Sequence, residues 1–245
     1  MRLPKDLLRR PRSIGRDFFD FLFPPYCAVC DALLQPSERI VCENCFQSIR
    51  LITPPFCQRC GRPFKTGRSS CMHCQDHTTS VKRTRALGLY QGTLSSIIHL
   101  LKYEQKPSLA RRLGLMMSTL ILNDPCFSST DLIIPVPLHP IRERERGYNQ
   151  SRLLARAMSE STGFPLASDV LMRRRNTRSQ TDFPPEERPD NVADAFAVRR
   201  PEVVEGKRVL LVDDVTTTGS TFHFCGTALL AVGVQEVYAI SCAIA

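Results

Sequence analysis

"VLLVDDVTTTGST" spans Val209 to Thr221. Four apolar residues run into two adjacent carboxylates, Asp213 and Asp214. Five hydroxyl side chains and one glycine follow within seven residues. A short unbroken apolar run is the mark of a strand buried on both faces. The run that follows, "GSTFHFCGTALLAVG", reads as a helix, so the stretch is a strand, a turn and a helix start. In open α/β sheets, ligands bind at the carboxyl ends of strands. The unpaired N–H groups and the dipole of the helix start favour an anion there. Gly219 lets the backbone come close to a ligand. Thr216, Thr217, Thr218, Ser220 and Thr221 offer hydroxyl donors. The turn therefore reads as a phosphate cradle. Carboxylates aimed at a phosphate would repel it, so Asp213 and Asp214 read as acceptors for sugar hydroxyls beside it. One turn would then hold both halves of a ribose 5-phosphate. It is not a P-loop, because no GxxxxGK[ST] occurs.

The same alternation extends outward. "RALGLYQG", "DLIIPVP", "RVLLVDD" and "VQEVYAISCAIA" read as strands. "TLSSIIHLLKY", "SLARRLGLMMSTLIL" and "NQSRLLARAMSEST", ending at Gly163, read as helices. Strands alternating with helices predict an α/β fold with a parallel sheet covered on both faces, over residues 84–245.

Before residue 84 the texture differs. Eight of the eleven cysteines form four CxxC pairs: Cys27/Cys30, Cys42/Cys45, Cys57/Cys60 and Cys71/Cys74. Eleven, eleven and ten residues separate successive pairs. Two CxxC turns supply the four thiolates of a structural zinc site. Two Zn²⁺ sites are expected, although iron accepts the same ligands. Sequential pairing is the simplest arrangement, and an interleaved cross-brace stays open. His73 and His77 read as exposed residues rather than ligands. Cys225 and Cys242 fall in apolar patterns and read as core. Residues 24–80 thus form a small metal-stapled domain, ahead of which residues 1–23 read as a basic tail with a short amphipathic helix.

The chain has 245 residues and a formal net charge of +9. Eight thiolates and two divalent cations would lower that to +5, still basic enough for a phosphorylated ligand or nucleic acid. No apolar run is long enough for a membrane span. The basic N-terminus lacks an apolar core and a cleavage site, so a reducing, cytoplasmic location is expected and disulfides are not.

Taken in order, "CAVC…CENC…CQRCG…CMHC", "IIHLLKY", "IPVPLHPIRERERGYNQS", "RRRNTRSQTDFPPEERPDNVADAF" and the opening stretch resemble the ComF family over roughly residues 24–245. The opening stretch alone resembles the phosphoribosyl-pyrophosphate (PRPP) signature of type I phosphoribosyltransferases. The family joins a double zinc ribbon to a type I phosphoribosyltransferase domain. The resemblance implies that Asp213 and Asp214 hold ribose hydroxyls, with Thr217 to Thr221 on the 5′-phosphate and Mg²⁺ arriving with the substrate. It places Pro137 and Leu138 near the pyrophosphate. Arg142, Arg146 and Lys102 are basic candidates beside it. Arg173 to Asn191 resembles the hood over the site, with Arg173, Arg178 and Gln180 as candidates. Purine-salvage members carry an acidic residue just before "TG", where this chain has Thr217 and Thr218, so no base for a purine acceptor is visible. The rival reading implied by the family is a competence-type DNA-uptake factor. It would bind single-stranded DNA through the ribbon and basic surface, with competence or helicase proteins as partners.

Overall fold

The computed structural model describes residues 24–64, 71–76, 79–174 and 195–245. The tail expected over residues 1–23, most of the expected hood with Arg178 and Gln180, and His77 lie outside the described residues. Among the described residues, no helix is long and apolar enough to cross a membrane. The chain divides into two compact units, Met1–Ser48 and Ile49–Ala245. The second ribbon is therefore part of the unit that holds the α/β body.

In the first unit, Cys27 and Cys30 meet Cys42 and Cys45 around the short helix α1 (Glu43–Gln47). Val41 and Phe46 are buried beside the cysteines. In the second unit, Cys57 and Cys60 meet Cys71 and Cys74, the latter pair flanking the start of α2 (Met72–Asp76). Both tetrads thus pair sequentially.

The α/β body is a four-stranded parallel sheet of order β1 (Arg83–Leu89), β6 (Glu236–Ile244), β5 (Arg208–Thr216) and β2 (Leu132–Pro135). Val209 and Leu211 of β5 join Phe222, Cys225 and Leu229 of α7 (Ser220–Leu230) in one core cluster. Strand alternation sends Leu210 and Val212 to the opposite face. On that opposite face Met117 of α4 (Leu109–Leu122) lies against Cys242, with Sδ and Sγ 3.1 Å apart. α4 packs on α6 (Gln150–Thr162), where Gly114 sits against Ala157. α3 (Gly92–Tyr103) precedes α4, and the short α5 (Pro140–Arg146) follows β2. Cys225 and Cys242 are fully buried, as their patterns predict.

Two features depart from the sequence reading. β5 does not end at the carboxylates: it runs on to Thr216, which pairs with Ile244. Val215 and Thr216 are β-branched and prolong the strand. Second, Leu171–Arg173 (β3) and Phe196–Val198 (β4) form a separate antiparallel ribbon flanking the hood segment. Three-residue strands are too short to show a period.

The second ribbon closes the edge of the sheet. Strand β1 is an edge strand, and residues 51–59 run along its open side. Ile52 N–H donates to Leu87 O at 2.9 Å, and Thr84 N–H donates to Arg59 O at 2.7 Å. Leu51 and Gly88 form an antiparallel bridge. Gly61 permits this fit: its φ is +75°, and a Cβ there would stand 2.8 Å from Thr84 O. Arg85 adds a lid, with its guanidinium 4.6 Å from the Phe56 ring centre and bonded to Gln58. An uncovered edge strand invites intermolecular pairing, so the ribbon protects the sheet as well as extending it.

Candidate functional site

The site sits where β5 passes into α7. Side chains alternate along a strand, so Asp213 and Asp214 leave on opposite faces rather than as one open pair. Both are buried, at 9% and 3% exposure. Asp213 Oδ1 accepts from Ser151 Oγ at 2.7 Å and from the Asp214 N–H at 2.9 Å. Among the described residues, no protein donor reaches its other oxygen. Burial, with the neighbouring Asp214 charge second, pushes the Asp213 carboxyl up to about 7. Asp214 Oδ1 accepts from the Val215 N–H at 2.7 Å. Its Oδ2 lies 2.9 Å from Lys102 Nζ but receives no hydrogen bond in good directional geometry.

Lys102 therefore behaves differently from the anion contact expected of it: in this structure Asp214 takes up its charge. Its side chain is only 17% exposed. Burial lowers its proton affinity, and the Asp214 charge more than restores it, leaving the ammonium above its ordinary range. Removing one partner of a buried pair strands the other. Lys102→Met is expected to cost about 3 kcal/mol in urea unfolding. A cost within experimental error would show that solvent, not Lys102, satisfies Asp214.

The turn after β2 is held by Asn149, buried at the start of α6. Its Oδ1 accepts from the N–H groups of Ser151 and Arg152, capping the helix. Its Nδ2 donates to Val136 O at 3.0 Å, just before Pro137 and Leu138. Those two are half-buried in the turn. Arg142 is exposed on α5. Arg146 donates to Gln150 Oε1 and stacks over the Tyr103 ring at 5.5 Å. Arg173, on β3, lies 5.6 Å from the Phe196 ring centre. Burial draws its guanidinium down from the ordinary range, and it feels both Arg142 and Asp213. Ser151 contacts Asp213, and Arg173 lies close enough to feel the charges of Arg142 and Asp213. Gln180 lies outside the described residues.

In the loop, Thr216 is buried, Thr217 and Thr218 are exposed, and Gly219, Ser220 and Thr221 are half-buried. Gly219 takes φ +84°, which an L side chain would resist, and itself offers no cap; the Ser220 N–H donates instead to Thr218 Oγ1 at 3.4 Å. Thr218 Oγ1 and Ser220 Oγ are 2.6 Å apart. An open cavity of about 100 Å³ lies on the ribbon side of the loop, bounded by Arg59, Arg62, His73, Thr217, His223 and Phe224. His73 is half-buried and not exposed as expected; Nε2 lies 3.2 Å from Thr218 O. Arg62 donates to Thr217 O.

The tetrads fit zinc. All four sulfurs of each lie within 4.8 Å of one another. Neighbouring sulfurs are 3.6 and 3.8 Å apart in the first tetrad and 3.4 and 3.7 Å in the second. Tetrahedral Zn–S bonds of about 2.3 Å require edges of about 3.8 Å. Without a cation the thiols cannot all ionise. Backbone N–H groups overcome burial to bring Cys27 and Cys57 down to about 6. Burial and the neighbouring sulfurs push Cys45 and Cys60 far up. A divalent cation removes that conflict.

Residues 18–75 match the double zinc ribbon domain family and residues 148–244 the phosphoribosyl transferase domain family. Competence protein F of Haemophilus influenzae is 30% identical over 226 residues, covering 90% of this chain and 96% of the relative. The chain belongs to the competence protein F (ComF) family. Within this ComF family, the DNA utilization protein YhgH of Shigella flexneri is 30% identical, covering 87% of this chain and 94% of its own length. A solved glutamine PRPP amidotransferase from Bacillus subtilis aligns with 55% of this chain and 26% of its own, at 26% identity and a TM-score of 0.37. The fold of this ComF member is a parallel-sheet phosphoribosyltransferase type joined to a double zinc ribbon.

The sequence reading missed Ser151, Arg62 and His73. Ser151 stands in a motif read as a helix start, and its position two residues after a capping Asn is the available signal. Arg62 and His73 gave no local signal.

Proposed function

We propose that the chain binds PRPP at the β5–α7 turn and retains the chemistry of pentosyl transfer, with the acceptor unassigned. The observation that carries this reading is the α7 start, where Gly219 offers no side-chain cap and only a 3.4 Å bond to Thr218 Oγ1 meets the Ser220 amide, beside Asp213, whose second oxygen receives no protein donor among the described residues. An acceptor oxygen that no protein donor reaches is open to a donor on a ligand. In this reading the 5′-phosphate rests on the first amides of α7 and the hydroxyls of Thr217 to Thr221. Asp213 accepts from a ribose hydroxyl through its second oxygen, and Asp214, on the other face of the strand, joins it when Lys102 gives it up to the ligand. Arg142 and Arg173 stand by the pyrophosphate, near the turn at Pro137 and Leu138. The bond from C1 to the pyrophosphate oxygen breaks with its electron pair leaving on pyrophosphate, and the acceptor forms the new bond to C1. Mg²⁺, arriving with the substrate beside Asp213 and Asp214, would supply charge neutralisation for the leaving group. Arg146, expected in the same role, is held instead by Gln150 and Tyr103, and its part is to stiffen the α5–α6 corner.

Calorimetric titration with PRPP and Mg²⁺ tests the reading. Wild type is expected to give a saturable signal, and Asp214→Asn to weaken it at least tenfold. A hydrogen bond to a charged group is worth about 1.5–3 kcal/mol. No signal from zinc-loaded wild type would end the proposal.

A second reading is favoured by the relatives' names, competence protein F and DNA utilization protein, and by the basic charge. The chain would handle single-stranded DNA, with partners among competence or helicase proteins. Affinity for an unstructured oligonucleotide should then fall linearly on a log–log plot against salt.

A further inference from the structure

We propose that the second cysteine tetrad sets the orientation of the phosphate loop through two positioning residues, Arg62 and His73. The inference rests on the phosphate-site reading above and adds to it a link between metal and ligand.

Arg62 donates to Thr217 O, and His73 Nε2 stands 3.2 Å from Thr218 O. The acceptor in the second contact is a carbonyl, so Nε2 carries the hydrogen. The two residues come from opposite halves of the tetrad. Arg62 follows Cys60 by two residues, and His73 lies between Cys71 and Cys74. Sulfur contacts of 3.4 Å (Cys60–Cys71) and 3.7 Å (Cys57–Cys74) tie these halves together. Arg59, between the first two ligands, donates to Cys74 O at 3.4 Å. A cation in the tetrad would fix the spacing between Arg62 and His73, and with it the spacing of the carbonyls they hold.

What this does to the loop follows from the peptide unit. A trans peptide is planar, with its C=O and N–H pointing in opposite directions. Holding the carbonyls of Thr217 and Thr218 toward the ribbon turns the N–H groups of Thr218 and Gly219 away from it. Two successive amides are thereby aimed to the same side just before α7 begins. Thr217 and Thr218 are themselves exposed, and within the loop Thr218 is tied only to Ser220, through its own hydroxyl. The ribbon supplies that constraint. A loop ordered before the ligand arrives binds it more tightly, because the ordering cost is already met. The second ribbon is further clamped to the α/β body beside the loop. Ser80 Oγ donates to His223 O at 2.6 Å, and the Ser80 N–H donates to His223 Nδ1 at 3.1 Å.

The test uses full-length, zinc-loaded protein carrying Arg62→Ala, His73→Ala or both. Three quantities are read: zinc per chain, PRPP–Mg²⁺ affinity by calorimetry, and hydrogen exchange of the Thr218 and Gly219 amides. The double variant is expected to keep its zinc, bind PRPP at least tenfold more weakly and exchange those amides faster. His73→Gln, whose amide can donate to the same carbonyl, should restore much of the His73→Ala loss, which a general packing defect would not allow. Unchanged affinity and unchanged exchange in a zinc-replete double variant would overturn the proposal. If wild type itself gives no PRPP signal, the phosphate-site reading has failed, and exchange alone decides the latch: equal rates overturn it. Should the double variant lose metal, the single variants carry the same comparison.

Discussion

Asp213→Asn is expected to make the protein more stable and to cripple PRPP binding. The Asp213 carboxyl is pushed up to about 7, first by burial and then by Asp214. Its ordinary value in an unfolded chain is about 3.9. A raised carboxyl favours the folded state when protonated, and that advantage disappears as the group ionises. The contribution is thus complete below about pH 4 and lost as pH rises through about 7. Asn keeps the shape, and its oxygen can still accept from Ser151 and from the Asp214 N–H, while the buried charge is gone. Above pH 7 the variant should gain about 2 kcal/mol, which for a chain of this size raises the melting temperature by roughly 5 °C. It should also flatten the wild-type fall in stability between about pH 4 and pH 7. At the same time PRPP affinity should drop ten- to a hundredfold, roughly the worth of a hydrogen bond to a charged acceptor. Thermal melts across pH, paired with calorimetry, check both halves. A variant that is less stable at every pH would mean that the carboxylate is structural and not a strained ligand group.

Metal removal should have the largest effect on the fold. Structural zinc contributes on the order of 10 kcal/mol per site, comparable with the whole stability of a typical domain. Without the second cation, residues 51–62 are left with the backbone pairing of Ile52 and Arg59 with Leu87 and Thr84 and the contacts of Arg85 to hold them on the open side of β1. The prediction is two zinc ions per chain by elemental analysis. Chelation under reducing conditions should lower the melting temperature by roughly 20 °C or more and cause aggregation through the bared strand edge. Cys60→Ser should reproduce the effect in part. A chain that stays monomeric with an unchanged melt after complete metal removal would show that the cysteine clusters do not carry this stability.

The strand, turn and helix around Asp213 were legible because each has a local cause. Apolar continuity marks the strand, Gly219 the turn, and renewed helical spacing α7. The tetrads were legible from spacing alone, although only the structure settles their sequential pairing. Other features depend on what a one-dimensional reading blurs. Adjacency of Asp213 and Asp214 suggested one clasp, whereas a strand that continues to Thr216 sends them to opposite faces. Lys102 looked like a ligand for an anion until Asp214 was found beside it. Arg62 and His73 reach loop carbonyls 155 and 145 residues away, and no local pattern encodes such contacts. The β3–β4 ribbon is too short for any periodicity to show. Features that depend on a single element's chemistry are legible in the sequence, and those that depend on packing between distant segments are not.

The most direct measurement is a crystal structure of the zinc-loaded chain soaked with ribose 5-phosphate. The phosphate should lie within hydrogen-bonding reach, about 3 Å, of the backbone amides between Thr218 and Thr221, with ribose hydroxyls on Asp213 or Asp214. A phosphate bound anywhere else, or a loop that closes its own amides with side chains and stays empty at saturating ligand, would contradict the account.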